Sequence, residues 1–358
     1  MKKLKISKYI TWGLLLMLMM TSCGYKQQVS QPQGKGKTPE NVRLIGHTPI
    51  KDQGKSDLGW AYAMLATIES EHIMKGDSVN LSVAYITRKM LHEKALEYYF
   101  SKGKSPVSMK AMSATLIKYI NQYGAEPYDS YETAKDVDYQ VLCRKIKQIC
   151  DGAISQKAGL EKLNTRLDEL FDSELGYLPA KTVHMLGAEY TPLEFAHSVC
   201  YPEEYVSLTS FLHHPFREYF ALEIPENQIK NLFLNLPIDE LMLHLKEAVK
   251  HGHPVCWEGD FSNTAFSGSP NAYVDLPASK LPVTQASRQR EFEQLYTSNN
   301  HAMEIIGTFL HEKKTFYVCK NSQGEEWGCE GLIFLSEDYI KQKTVAIYMS
   351  ESAFLYDQ

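Results

Sequence analysis

Trp60, Met64, Ile68 and Ile73 recur at close to helical spacing, and the helix formers Ala61, Ala63 and Ala66 lie between them. The pattern predicts a long buried helix ending near Lys75-Gly76-Asp77. A buried helix needs a core around it, and 358 residues suffice to bury one large core or two moderate ones. The net charge is -5, and no basic run appears beyond the extreme N-terminus, so nothing points to nucleic acid. No repeat of about 20–50 residues is evident.

The first residues read as a targeting segment. Lys2, Lys3, Lys5 and Lys8 form a positive region, and Ile10 to Met20 an apolar one that is too short for a settled transmembrane span. Small residues then stand directly before Cys23, as in a bacterial lipoprotein signal cleaved before a cysteine that takes a lipid on its thiol. A plain secretory signal with an incidental cysteine is the alternative. Residues 1–22 are thus expected as the signal and residues 23–43 as a tether, rich in Gln, Gly and Pro between Lys26 and Lys37.

Export would place the chain in an oxidising compartment. Beyond Cys23 the cysteines are Cys143, Cys150, Cys200, Cys256, Cys319 and Cys329, with no CxxC pair to suggest zinc. Cys143 and Cys150 sit about 10 Å apart along a helix axis, too far for a disulfide in a straight helix. Cys319 and Cys329 either pair or serve as small buried hydrophobes. No metal is expected at His213-His214, because adjacent side chains should point apart and no carboxylate stands at ligand spacing.

Asn41 to Pro49 reads as an extended lead-in. After the first helix, the chain is expected to run helical to about Ser101. Ser108 to Ala125 reads as another helix, and Val137 to Asp172 as two. A helix follows Asn235-Leu236-Pro237 to about His251, then a strand at Pro254-Val255-Cys256-Trp257.

Several motifs stand in a telling order. Gln53 is followed by a short loop, then Gly59-Trp60 at the start of the long helix. His301-Ala302-Met303-Glu304-Ile305-Ile306-Gly307 comes much later, and then Lys320-Asn321-Ser322-Gln323-Gly324 with Trp327-Gly328 and Gly331. This series resembles the papain-like cysteine peptidases. Tyr205 to Phe211, His213-His214-Pro215-Phe216, Asn235 to Leu241 and Gln285 to Tyr296 resemble the bleomycin hydrolase/aminopeptidase C branch of that superfamily. The resemblance covers nearly everything after about residue 44.

By that resemblance His301 is the general base, Asn321 orients its ring, and Gln53 donates a hydrogen bond to the oxyanion. The family nucleophile is a cysteine at the position of Gly59. There a thiolate is stabilised by the helix dipole and a neighbouring imidazolium, and it attacks a carbonyl. Gly59 offers no nucleophile, and Ser56 lies earlier in the loop. The family also places a Trp after Asn-Ser to shield the His–Asn pair from water, where this chain has Gln323.

The resemblance implies an α+β papain-like fold. One lobe is helical, one carries a twisted antiparallel sheet with His301 and Asn321, and a cleft lies between them. The domain is expected over residues 44–358, with a helical insertion at about 86–250. Papain-type spacing puts the His about 130–150 residues after the nucleophile, so roughly a hundred extra residues must be housed. The function expected is a catalytically impaired, peptide-binding homologue. The alternative is an active cysteine aminopeptidase or endopeptidase whose nucleophile at position 59 has been replaced. Peptides or protein N-termini are the expected partners, with the membrane held through lipid on Cys23 in a bacterial cell envelope. No cofactor is expected. The branch assembles into hexamers, which leaves an oligomer open.

Overall fold

The computed structural model describes residues 39, 42–132, 137–179, 182–185, 187–261 and 272–355, all within one compact unit. The expected signal peptide and lipidated Cys23 lie outside them, as does the expected tether apart from residues 39, 42 and 43. No helix among the described residues is long and apolar enough to cross a membrane.

In chain order the helical part contains α1 (Gly59–Lys75), α2 (Val83–Phe100), α3 (Ser113–Tyr123), α4 (Tyr139–Gln156) and α5 (Leu160–Leu175). A small hairpin follows, β1 (Val183–Met185) with β2 (Ala188–Tyr190), and then α6 (Pro192–Val199). Next come β3 (Tyr205–Thr209), β4 (Tyr219–Ala221), β5 (Leu232–Asn235), α7 (Ile238–Lys250), β6 (Val255–Gly259), β7 (Tyr273–Val274) and α8 (Gln285–Glu293). The chain closes with β8 (His301–His311), β9 (Lys314–Lys320), β10 (Leu332–Ser336), α9 (Glu337–Lys343), β11 (Thr344–Ser350) and α10 (Glu351–Leu355). Helices and sheet together give the α+β papain-like architecture.

The main sheet has nine strands in the order β4-β5-β3-β11-β6-β8-β9-β10-β7. Its central pairs are antiparallel, but β3 runs parallel to β5 and β10 parallel to β7, so the sheet is mixed at its flanks. The stretch 86–250, expected as a helical insertion, holds helices and also β3, β4 and β5, which extend the main sheet beyond β11.

Alternation along the strands separates two cores. Cys256, Ala302, Ala346 and Tyr348 face the helices with Trp60, Met64 and Ile68. Val255, Trp257, Met303, Ile305, Ile347 and Met349 face the other way, onto Leu241 and Leu245 of α7. A period of two is what a sheet buried on both faces requires.

Helix α1 is buried continuously from Trp60 to His72, consistent with its sequence. Gly76 takes a left-handed φ of 94° and closes the helix by donating its N–H to the carbonyls of His72 and Ile73. The helix expected from Ser108 begins only at Ser113. The carbonyl of Met109 accepts the Trp60 indole N–H at 2.9 Å, while the Ser113 N–H goes to Glu258 at 2.6 Å. These long-range partners hold residues 109–112 outside the helix. The two helices expected over 137–172 are α4 and α5, separated where Lys157 and Gly159 take positive φ.

Candidate functional site

Position 59 opens α1, and Gly59 and Trp60 at this helix start both line the cleft. His301 is the first residue of β8 and pairs with Gly259 of β6. Asn321 follows β9 directly and is tied back by its N–H to the Gly331 carbonyl at 3.0 Å. Gln53 lies in the loop before α1, where its N–H donates to the Ser322 carbonyl at 2.8 Å. The fold thus brings Gln53, Gly59, His301 and Gln323 to one cleft of about 540 Å³, with Asn321 directly behind His301.

His301 Nε2–H donates to Asn321 Oδ1 at 3.0 Å. The neutral ring therefore keeps its lone pair on Nδ1. Burial pushes the His301 pKa down to about 4, against a smaller opposing effect of the Asn321 hydrogen bond. At neutral pH the imidazole is uncharged.

Gln53 is clamped on both ends of its amide. Nε2 donates to the Ser56 carbonyl at 2.8 Å, and Oε1 accepts from Ser322 Oγ at 2.6 Å. A Cβ built on Gly59 would meet Gln53 Oε1 at 3.0 Å, tighter than ordinary contact. The amide oxygen thus crowds the space a side chain at position 59 would need. Ser322 was not singled out from the sequence, because a serine beside an asparagine carries no signal until the fold sets it against a residue far upstream. Replacing it tests the clamp. Ser322→Ala should lower stability by about 1 kcal/mol, read as a shifted denaturant midpoint with unchanged slope.

Among the described residues neither Ser56 nor a cysteine stands in for the missing thiol. Ser56 Oγ donates to the Gln53 carbonyl at 2.6 Å. The described cysteines Cys143, Cys150, Cys200, Cys256, Cys319 and Cys329 are all buried, and Cys319 carries a free thiol, so it does not pair with Cys329. Burial raises the thiols of Cys143 and Cys150 to about 11 and that of Cys200 to about 12, and it also raises Cys256 and Cys319.

A second group missed by the sequence reading is Glu258, on the helix-facing side of β6. Its Oε1 accepts Ser113 N–H at 2.6 Å and Ser113 Oγ–H at 2.7 Å. Its Oε2 accepts Tyr348 O–H at 3.1 Å and the Asn299 amide at 3.4 Å. Helix α3 has no side-chain cap from Met112, and Glu258 supplies the acceptor from the sheet instead. Burial raises its pKa to about 7, opposed by these hydrogen bonds.

The expected geometry at His213-His214 is corrected. The two rings do not diverge: His213 Nε2 lies 3.3 Å and His214 Nε2 2.6 Å from the carboxylate of Glu223, which the fold brings up from beyond β4. Stacking of His214 on Phe220 and of His213 on Phe292 aligns them. Gln289 sets the tautomer. Its Oε1 accepts Leu212 N–H at 2.7 Å, so its Nε2 donates to His213 Nδ1 at 3.0 Å. His213 therefore carries its proton on Nε2 and donates to Glu223, a hydrogen-bonded clasp. A metal on Nε2 would require moving that proton against the Gln289 N–H.

Comparison with known proteins accords with this geometry. The model of the Peptidase C1-like family matches residues 176–355, a range that contains His301 and Asn321 but not Gln53 or Gly59. No curated protein matches the chain in sequence. Among solved structures the chain is similar to PepW of Lactobacillus rhamnosis HN001, with a TM-score of 0.64 at 18% identity, covering 88% of this chain and 83% of that one. It also aligns with procathepsin L 3 of the Tenebrio molitor larval midgut, with a TM-score of 0.41 at 15% identity, covering 90% of this chain and 74% of the other. The family match spans half of the sequence and includes both His301 and Asn321 of the cleft, so the chain belongs to the Peptidase C1-like family.

Proposed function

We propose that this chain is a catalytically impaired homologue of bleomycin hydrolase-type cysteine peptidases that binds peptides in its cleft without cutting them. The observation that carries the reading is Gly59. A residue with no side chain stands at the helix start beside an otherwise assembled frame of Gln53, His301 and Asn321. In the reading, Gln53 and the helix-start N–H groups receive a carbonyl oxygen, and neutral His301 offers Nδ1 as an acceptor. Without a thiol no acyl intermediate forms, and a water activated by His301 alone is orders of magnitude slower. Lipid on Cys23 would hold the domain at a bacterial envelope membrane.

The second reading is an active cysteine amino- or endopeptidase whose nucleophile at position 59 was replaced by glycine. The retained clamp of Ser322 on Gln53 and the His301–Asn321 bond favour it. A fluorescent peptide library tests the first reading. The expected result is saturable binding by the unaltered chain, competed by unlabelled peptide, with no cleavage over hours. Absence of binding by the folded protein, or turnover by it, would remove the proposal.

A further inference from the structure

Two aromatic rings flank His301, which is itself half-buried at the edge of the cleft. The Phe261 ring lies 5.0 Å from the imidazole at 37°, and the Trp327 ring 6.4 Å away at 24°. Phe261 and Trp327 meet each other edge-on at 6.0 Å and 60°. Both are buried.

The backbone that carries Phe261 is held in place. Its N–H donates to Asn300 Oδ1 at 2.8 Å, and Asn300 is the residue directly before His301. The preceding Asp260 donates its N–H to the Lys343 carbonyl at 3.0 Å, and its Oδ2 accepts both the N–H and the hydroxyl of Ser298 at 2.9 Å. The Tyr339 hydroxyl donates to the Asp260 carbonyl at 3.2 Å. Two segments, the loop at residues 298–300 and helix α9, therefore converge to fix Asp260 and Phe261. Gln323, by contrast, is a polar residue lining the open cleft.

We propose that Phe261, together with Trp327, is the water shield of the His301–Asn321 pair, a positioning role that keeps the imidazole neutral and its bond to Asn321 dry. The apolar ring faces exclude water from the Nε2–H···Oδ1 bond, and a hydrogen bond shielded from water holds its geometry better. The charged groups that face the same cleft are Asp57, Glu226, Glu258 and Lys110. None of them contributes to the depressed basicity of His301, which comes from burial. Removing a shielding ring should therefore act through hydration alone.

The inference concerns the histidine and does not depend on peptide binding, so its test needs neither ligand nor turnover. Histidine-labelled protein would be titrated by NMR. Phe261→Ala is expected to raise the His301 midpoint from about 4 by about 1 to 2 pH units toward the ordinary value. Phe261→Leu, which keeps an apolar cover, should move it by less than half as much, and Gln323→Ala should leave it where it is. If Phe261→Ala does not fold, Phe261→Thr against Phe261→Leu makes the same comparison. An unchanged midpoint in a folded polar or truncated variant would overturn the proposal. So would a shift in Gln323→Ala as large as that in Phe261→Ala. In either case the shielding would have to come from elsewhere in the cleft.

Discussion

Gly59→Cys should gain thiol-dependent cleavage of aminoacyl or peptidyl amides, by about 10³-fold or more over the unaltered chain. The position favours a reactive thiol. It opens α1, where the helix dipole lowers the pKa of a cysteine, and it shares the cleft with His301. The thiolate in turn supplies the counter-charge that an imidazolium needs, which should lift the His301 pKa from its present value of about 4. One local obstacle is visible. The new Cβ falls 3.0 Å from Gln53 Oε1, so the amide must yield by a few tenths of an ångström while Ser56 and Ser322 hold it. Rescue should therefore be partial, and Ser322→Ala in the same background would relax one restraint. Turnover of a fluorogenic panel, with labelling by a thiol-specific inhibitor, reads the outcome. If the folded Gly59→Cys protein neither labels nor cleaves, the frame around position 59 is no longer a working one, and only the binding role remains.

The second large effect is expected at Glu258. Its folded-state pKa of about 7 lies above the ordinary carboxyl value of 4.5. The folded chain therefore binds this proton more tightly than the unfolded chain. The contribution to stability is fully present below about pH 4.5 and is lost as the pH rises through about 7, a change of about 3 kcal/mol. Glu258→Gln abolishes the titration and should flatten the urea stability difference between pH 5 and pH 8 by about that amount. Glu258→Ala removes the acceptor itself. It leaves the Ser113 N–H and the Tyr348 hydroxyl without their partner and should cost about 2–3 kcal/mol at pH 5. A pH profile of Glu258→Gln that parallels the unaltered chain would show that other groups dominate this range.

Helix α1 was legible because its signal is local. Trp60, Met64 and Ile68 repeat at helical spacing, and burial on every side demands no charge at those positions. The same held for α4, α5, α7 and β6. The start of α3 was not legible, because Ser108 to Met112 has helical periodicity and is held out of the helix by Trp60 and Glu258 from other elements. Strands β3, β4 and β5 were missed as sheet within the stretch 86–250. They are short, at three to five residues each, and their partners lie across the fold, β3 against β11 near the C-terminus.

What the sequence alone determined is a matter of residue chemistry and order: a buried helix from Trp60, no side chain at position 59, and a histidine and an asparagine arriving in succession later in the chain. What only the tertiary structure decided is who meets whom among buried polar groups. Ser322 reaches Gln53, Glu258 reaches Ser113, and His213 and His214 turn together onto Glu223. The physical reason lies in the register of the sheet. Side chains alternate faces with a period of two, so a slip of one residue would send Glu258 into the opposite core and carry Cys256 with it. Periodicity records that a position is buried, but which donor awaits a buried carboxylate is set by strand pairing and lobe packing across hundreds of residues.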